Sequence, residues 1–131
     1  TFNLPKNYTI GGNYNFNKLI SAPTEGFLND FNTPEHKGNI TFGNRKVTKN
    51  MGFNLALRYQ SEFRWESSFA RGDVPAVTTL DAQLSYKVSS MKSIIKVGGS
   101  NLANNRYILN FGGPTIGAIY YVSINFDEFL K

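Results

Sequence analysis

Side chains able to do chemistry are few and scattered in this sequence. His36 is the single histidine, and there is no cysteine. A metal site needs several nitrogen, sulfur or carboxylate ligands brought together, and only Glu35 stands beside His36. Its expected role is a polar residue at a strand start, with no metal and no cofactor. Arg71-Gly72-Asp73 spells a cell-adhesion tripeptide, but such triplets arise by chance, and Gly and Asp suit turn chemistry in a loop. Glu62, Arg64 and Glu66 alternate around Trp65. That pattern suits a charged strand extension, with Trp65 as an interfacial anchor or a stacking platform for sugar. Asp81 is the one carboxylate inside an alternating segment. Among Arg58, Lys87 and Lys96, its expected role is charge pairing across neighbouring strands. No nucleophile–base pair, phosphate loop or paired-carboxylate spacing stands out, so no enzymatic activity is expected.

What the polar residues share is parity. Six segments alternate with period two, and matches to a helical pattern are poor throughout. The first runs from Asn7 to Asn17, with Tyr8, Ile10, Tyr14 and Phe16 opposing Thr9, Asn13 and Asn15. Lys37 to Arg45 sets Ile40 and Phe42 against Asn39, Thr41 and Arg45. The clearest follows, with Met51, Phe53, Leu55, Leu57 and Tyr59 against Asn54, Arg58 and Gln60. Leu80, Leu84, Tyr86 and Val88 then oppose Asp81, Gln83 and Lys87. Ser93 to Leu102 alternates least cleanly, because Ile94 and Ile95 are adjacent. Gly117 to Leu130 closes the set, Tyr120, Val122, Ile124 and Phe126 opposing Tyr121, Ser123 and Asn125. Side chains alternate across a strand, so each segment has one apolar and one polar face.

The connections alternate in length. Asn44 to Asn50 and Val88 to Lys92 are tight polar turns. Lys18 to His36, Ser61 to Thr78 and Ala103 to Gly117 are long. In an up-and-down meander every other connection emerges on the same side, so tight turns gather at one end and long loops at the other. Transmembrane barrels have that asymmetry, whereas soluble sandwiches mix short hairpins with Greek-key crossovers. Segments of about 9–11 residues also match a tilted spanning strand. Tyr8, Tyr59, Tyr86 and Tyr120 stand near strand ends, where an aromatic girdle lies.

Bulk composition is compatible with this. Hydrophobic residues make up 40%, aromatics 15% and charged residues only 18%. Mean hydropathy is −0.32, and no apolar run approaches the roughly 18 residues of a spanning helix. Helical membrane proteins are excluded, while a membrane barrel is not, because alternation averages its hydropathy away. The net charge of +5 is spread over strands and turns without a continuous patch, so nucleic acid is not an expected partner.

The expected fold is therefore all-β: an antiparallel, up-and-down transmembrane β-barrel spanning residues 1–131, with about six strands. Lumen-facing candidates are Asn13, Asn39, Thr41, Arg45, Asn54, Arg58, Asp81, Gln83, Lys87 and Lys96. Lipid-facing candidates are Ile10, Phe42, Phe53, Leu55, Leu57, Leu84, Val97, Val122 and Ile124. Six strands cannot close around a water-filled lumen, and an open edge in lipid leaves backbone groups unsatisfied. The strands are thus expected to pair with others, as one portion of a larger barrel.

Several motifs carry a resemblance. Asn32-Thr-Pro-Glu-His-Lys37 precedes one segment and Leu57-Arg-Tyr-Gln-Ser61 ends another. Thr79-Leu-Asp-Ala-Gln-Leu-Ser-Tyr-Lys87, Gly98-Gly-Ser-Asn-Leu-Ala-Asn104 and Phe111-Gly-Gly-Pro114 follow, the last leading into Tyr120-Tyr-Val-Ser-Ile124. In this order and spacing the chain resembles the C-terminal barrel segment of TonB-dependent outer-membrane receptors of the Bacteroidetes type. The resemblance implies a barrel of about 22 strands in the outer membrane of a Gram-negative cell, of which this chain forms the last part. It implies uptake of a large or scarce nutrient, driven by the TonB system through a plug domain not present here. Other implied partners are outer-membrane lipid, the remainder of the barrel, a surface lipoprotein, and the barrel-assembly machinery. Long loops such as Phe27 to Pro34 and Asn105 to Thr115 would contact ligand or lipoprotein. Family chains end on an aromatic read by that machinery. Phe126 and Phe129 are the candidates, although Leu130 and Lys131 follow them.

Two other readings compete. A receptor-type barrel can serve as a structural subunit of a larger outer-membrane complex. A soluble β-sandwich binding sugar through Trp65 and tyrosines instead requires the apolar faces to meet in a core.

Overall fold

The structure, a computed structural model, describes residues 1–18, 20, 32–68 and 70–126. Phe129 and the Phe27 end of the first long loop lie outside the described residues. Those described form nine strands: β1 (Phe2–Asn3), β2 (Tyr8–Phe16), β3 (His36–Asn44), β4 (Met51–Gln60), β5 (Phe63–Glu66), β6 (Arg71–Val74), β7 (Val77–Val88), β8 (Ser93–Ser100) and β9 (Ile119–Phe126). The only helical pieces among them are two single 3-10 turns, Pro5–Asn7 and Ser89–Met91. The alternating segments have thus become strands within two residues of their sequence limits, the last being followed to Phe126, where the described residues end. All neighbouring pairs are antiparallel, and seven strands form one sheet in the order β1-β2-β3-β4-β7-β8-β9. That is a meander, with β5 and β6 set aside as a separate two-stranded sheet. The seven strands are an open sheet, not a closed barrel.

Tight turns close one end. Asn44 Oδ1 accepts the Lys46 N–H at 2.8 Å, and Thr48 Oγ1 accepts the Met51 N–H at 3.2 Å, so local side chains hold the β3–β4 turn. Asn44 also donates through Nδ2 to the Lys6 carbonyl at 3.0 Å, tying this turn to the one before β2. The β7–β8 turn ends on Lys92 in the left-handed region (φ 46°). Two features were not anticipated. Residues 2–3 double back to pair with Thr9 and Ile10. The charged run around Trp65 does not extend β4; it is β5 of a hairpin. Arg71-Gly72-Asp73 belongs to its partner β6 rather than to a turn.

Register aligns the alternation across the whole sheet. One row reads Ile10, Phe42, Leu55, Ala82, Gly99, Tyr120; the next, Phe53, Leu84, Val97, Val122. These rows face one side and, among the described residues, meet no second layer. Val74 is the only buried hydrophobic residue among those described, while Leu84 is 57% and Val122 70% exposed. A soluble sheet hides such a face.

Candidate functional site

The other face is polar, again by register. Asn13, Asn39, Arg58 and Thr79 form one row, and Thr41, Ala56 and Asp81 another. Asn54, Gln83, Gly98 and Tyr121 make the third. All ten polar candidates have the parity of this face, with Arg45 just past the end of β3. All nine apolar candidates have the parity of the opposite one. Ile94 breaks the pattern, pairing with Lys87 and Asn125 while Ile95 continues the apolar rows, which is why β8 alternates poorly.

One ion pair stands on the polar face. Arg58 Nη2 lies 2.5 Å from Asp81 Oδ2, between diagonal positions on β4 and β7. The contact is a short ion pair rather than a linear hydrogen bond. The other oxygen of Asp81, Oδ1, accepts the Ser100 hydroxyl at 2.8 Å and the Asn101 N–H at 2.9 Å. Tyr121 lies over Gly98 and donates its hydroxyl to Gln83 Oε1 at 2.9 Å.

Asparagines build the exit from β8. Asn101 and Asn104 take left-handed backbone (φ 54° and 52°), tolerated by Asn better than by most residues. Asn101 exchanges two hydrogen bonds with the Asn105 backbone, at 2.9 and 3.0 Å. Asn105 Nδ2 reaches the Thr78 carbonyl at 2.8 Å, and Asn104 Oδ1 accepts the Ala118 N–H at 3.0 Å. The Gly98–Asn104 motif is thus a corner that fixes both feet of the last long loop. Within the loop, Tyr107 and Ile116 exchange backbone hydrogen bonds at 3.1 and 2.7 Å.

That loop folds over the polar face. Tyr107 and Leu109 join Asn13, Asn15, Lys37, Asn39, Arg58, Gln60, Val77 and Thr79 around a cleft of about 430 Å³. Asn13, Asn39 and Arg58 were expected on a shared face. Asn15, Lys37, Gln60 and Thr79 share their parity and could have been added from it. The roof could not, because nothing local to Tyr107 or Leu109 says which way the loop turns. A smaller hollow of about 170 Å³ lies beside the Arg58–Asp81 pair, bordered by Asn54, Gln83, Ser100 and Tyr121.

The long connections also hold one another. The Asn32 side-chain amide forms a two-way pair with the backbone of Glu66, at 2.9 and 2.7 Å. The Phe111 ring lies against Gly72, which leaves no room there for a Cβ. Trp65, the register partner of Gly72, is only half-exposed, which makes it a poor open platform for sugar. Among the described residues no group of three His, Cys, Asp or Glu side chains could hold a metal ion. His36 lies on the apolar side, its Nδ1 2.6 Å from the Tyr14 hydroxyl.

No protein-family model matches the chain, and neither a curated protein nor a solved structure matches it significantly.

Proposed function

We propose that this chain is a wall segment of an outer-membrane β-barrel of the TonB-dependent receptor type, contributing lumen surface and extracellular loops to uptake of a nutrient. One observation carries the reading. Apolar side chains stand in continuous register across the sheet with nothing among the described residues packed over them, while the opposite face is polar and carries the Arg58–Asp81 ion pair. In lipid the first face needs no cover and the second lines water. A sugar-binding sandwich would need the apolar rows buried against one another, and among the described residues they are not.

Further features support the membrane assignment. Aromatic rings gather towards both ends of the apolar face. Tyr8, Phe42 and Phe53 cluster with centroids 5.6–6.5 Å apart near the tight turns. Tyr14, Phe16 and His36 cluster near the long loops. Girdles at two interfaces have this arrangement. A ten-residue strand such as β4, at ~3.4 Å per residue and ~40° tilt, rises ~26 Å, close to the ~25 Å apolar band of such barrels. Among the described residues nothing pairs with the outer edge of β9, and β1 covers only two residues of β2. Those edges fit a larger barrel, which the C-terminal segment of a receptor would complete with its remaining strands.

Brominated lipid tests the reading. A tryptophan is placed at Leu55 or at Asn54 in the full chain, Trp65, the one tryptophan of the sequence, being changed to phenylalanine, and the protein is reconstituted in brominated phosphatidylcholine vesicles. Fluorescence at position 55 should be strongly quenched and that at position 54 spared. Equal quenching at the two positions, or purification as a detergent-free soluble monomer, would overturn the proposal.

A further inference from the structure

We propose that the roofed cleft on the polar face is a binding site for a small carboxylate-bearing ligand rich in hydrogen-bonding groups; this rests on the wall-segment reading and names the ligand chemistry of that same face. Lys37 pairs in register with Gln60, and Asn39 with Arg58, so the two cations stand on diagonal positions of adjacent strands. Diagonal neighbours are ~7–8 Å apart, within reach of long side chains. A carboxylate can sit between an ammonium and a guanidinium so placed, and the guanidinium can bind it through two parallel N–H donors.

The surroundings fit no cation. Among the described residues no carboxylate lines the cleft, and Lys37 makes no ion pair. Asp81, the nearest strand carboxylate by register, already holds Arg58, Ser100 and the Asn101 backbone. Its pairing with Arg58 engages Nη2, one nitrogen of a group that carries five N–H donors. The remaining polar lining is four amides, Asn13, Asn15, Asn39 and Gln60, with hydroxyl-bearing Tyr59, Thr79 and Tyr107, all able to donate and accept. Such a lining matches hydroxyls or amides flanking an acid. Tyr107 and Leu109 add an aromatic and an aliphatic surface from above.

The site is also built in advance. The Asn105–Thr78 and Asn104–Ala118 hydrogen bonds anchor both feet of the roof, and the Tyr107–Ile116 bridge stiffens it. A preformed cleft loses less freedom on binding, and about 430 Å³ lies within the ~300–1,000 Å³ usual for ligand sites. An unstructured lumen wall would need none of these ties.

Calorimetric titration of the full chain in detergent micelles tests the proposal with three probes: a short oligogalacturonide, a tetraglutamate peptide and a neutral maltooligosaccharide. At least one acidic probe should bind and the neutral one should bind at least about tenfold more weakly; the two acidic probes separate a sugar acid from a peptide source. Lys37→Gln should weaken the acidic probe about tenfold, and Arg58→Lys, which keeps the charge but loses the two-pronged donor, should also weaken it. The proposal is overturned if neither acidic probe binds, if the neutral probe binds equally, or if Lys37→Gln leaves affinity unchanged. Quenching at position 55 by brominated lipid, measured on the same preparation, reports separately whether the wall-segment reading stands.

Discussion

Asn101 donates its backbone N–H to Oδ1 of Asp81 at 2.9 Å, across the point where β8 gives way to the last long loop. The same oxygen takes the Ser100 hydroxyl, so one carboxylate on β7 fixes two successive residues of the corner while its other oxygen faces Arg58. Asp81→Ala should leave a buried N–H unsatisfied and cost about 1–3 kcal/mol. Asp81→Asn keeps an acceptor for Asn101 and loses only the Arg58 pair. Because the Arg58 side chain is 62% exposed, that loss is worth ~1 kcal/mol or less. Guanidinium unfolding in lipid vesicles checks the order, Ala being well below Asn; equal destabilisation would mean that the ion pair, not the corner, is what Asp81 supplies.

The corner makes its own demand on residue 101. Its φ of 54° is costly for most side chains, at about 1–2 kcal/mol, and its amide closes on Asn105 in both directions. Asn101→Gly should keep the backbone geometry and lose the amide bonds. Asn101→Ala should lose both, with a total near 2–3 kcal/mol. The Gly variant should therefore unfold at a higher denaturant concentration than the Ala variant. If the two coincide, the left-handed backbone at this position contributes nothing.

The strands of the main sheet were legible because each carries enough alternating residues to announce a period of two. Met51 to Tyr59 is the plainest, and it forms β4. Legibility failed wherever structure depends on distant partners. Phe2 and Asn3 are too few to show a period, and they form a strand only because Ile10 and Thr9 lie opposite. The Trp65 hairpin reads as a charged extension of β4 until Asn32 is seen seated on Glu66 and Phe111 on Gly72. The strand-borne floor of the polar cleft was legible by parity from Asn13, Asn39 and Arg58. Its roof was not, since the path of residues 105–116 is set by amide contacts to Thr78 and Ala118. The motif around Asn101 drew notice as a pattern, but its physical content is backbone conformation, which composition does not display.

Gly72 and Phe111 should prove coupled. A Cβ built on Gly72 would fall about 2.2 Å from the Phe111 ring, far inside contact distance, so Gly72→Val must displace the ring or shift β6. The single change should destabilise by about 1–3 kcal/mol, the usual cost of overpacking. In a Phe111→Ala background the valine should cost much less, giving a coupling energy within the ~0.5–3 kcal/mol seen for residues in contact. Thermal unfolding of the two single variants and the double variant measures it. Strict additivity would show that the two loops do not meet in solution.

Leu55 offers the sharpest contrast between lipid and core. It lies midway along β4, between Phe42 on one side and Ala82 on the other, in a row over which none of the described residues forms a layer. Asn54, one residue away, points to the polar face. An arginine at the bilayer midplane of a barrel costs ~2–4 kcal/mol, and one on the lumen side costs little. Leu55→Arg should therefore lower stability in vesicles by that amount while leaving a folded protein, and Asn54→Arg should stay within about 0.5 kcal/mol of the parent. Were the apolar rows instead the core of a water-soluble protein, Leu55→Arg would bury an unpaired charge and abolish folding outright. Folded Leu55→Arg recovered from vesicles, with Asn54→Arg near the parent, is the outcome that membrane exposure of these rows requires.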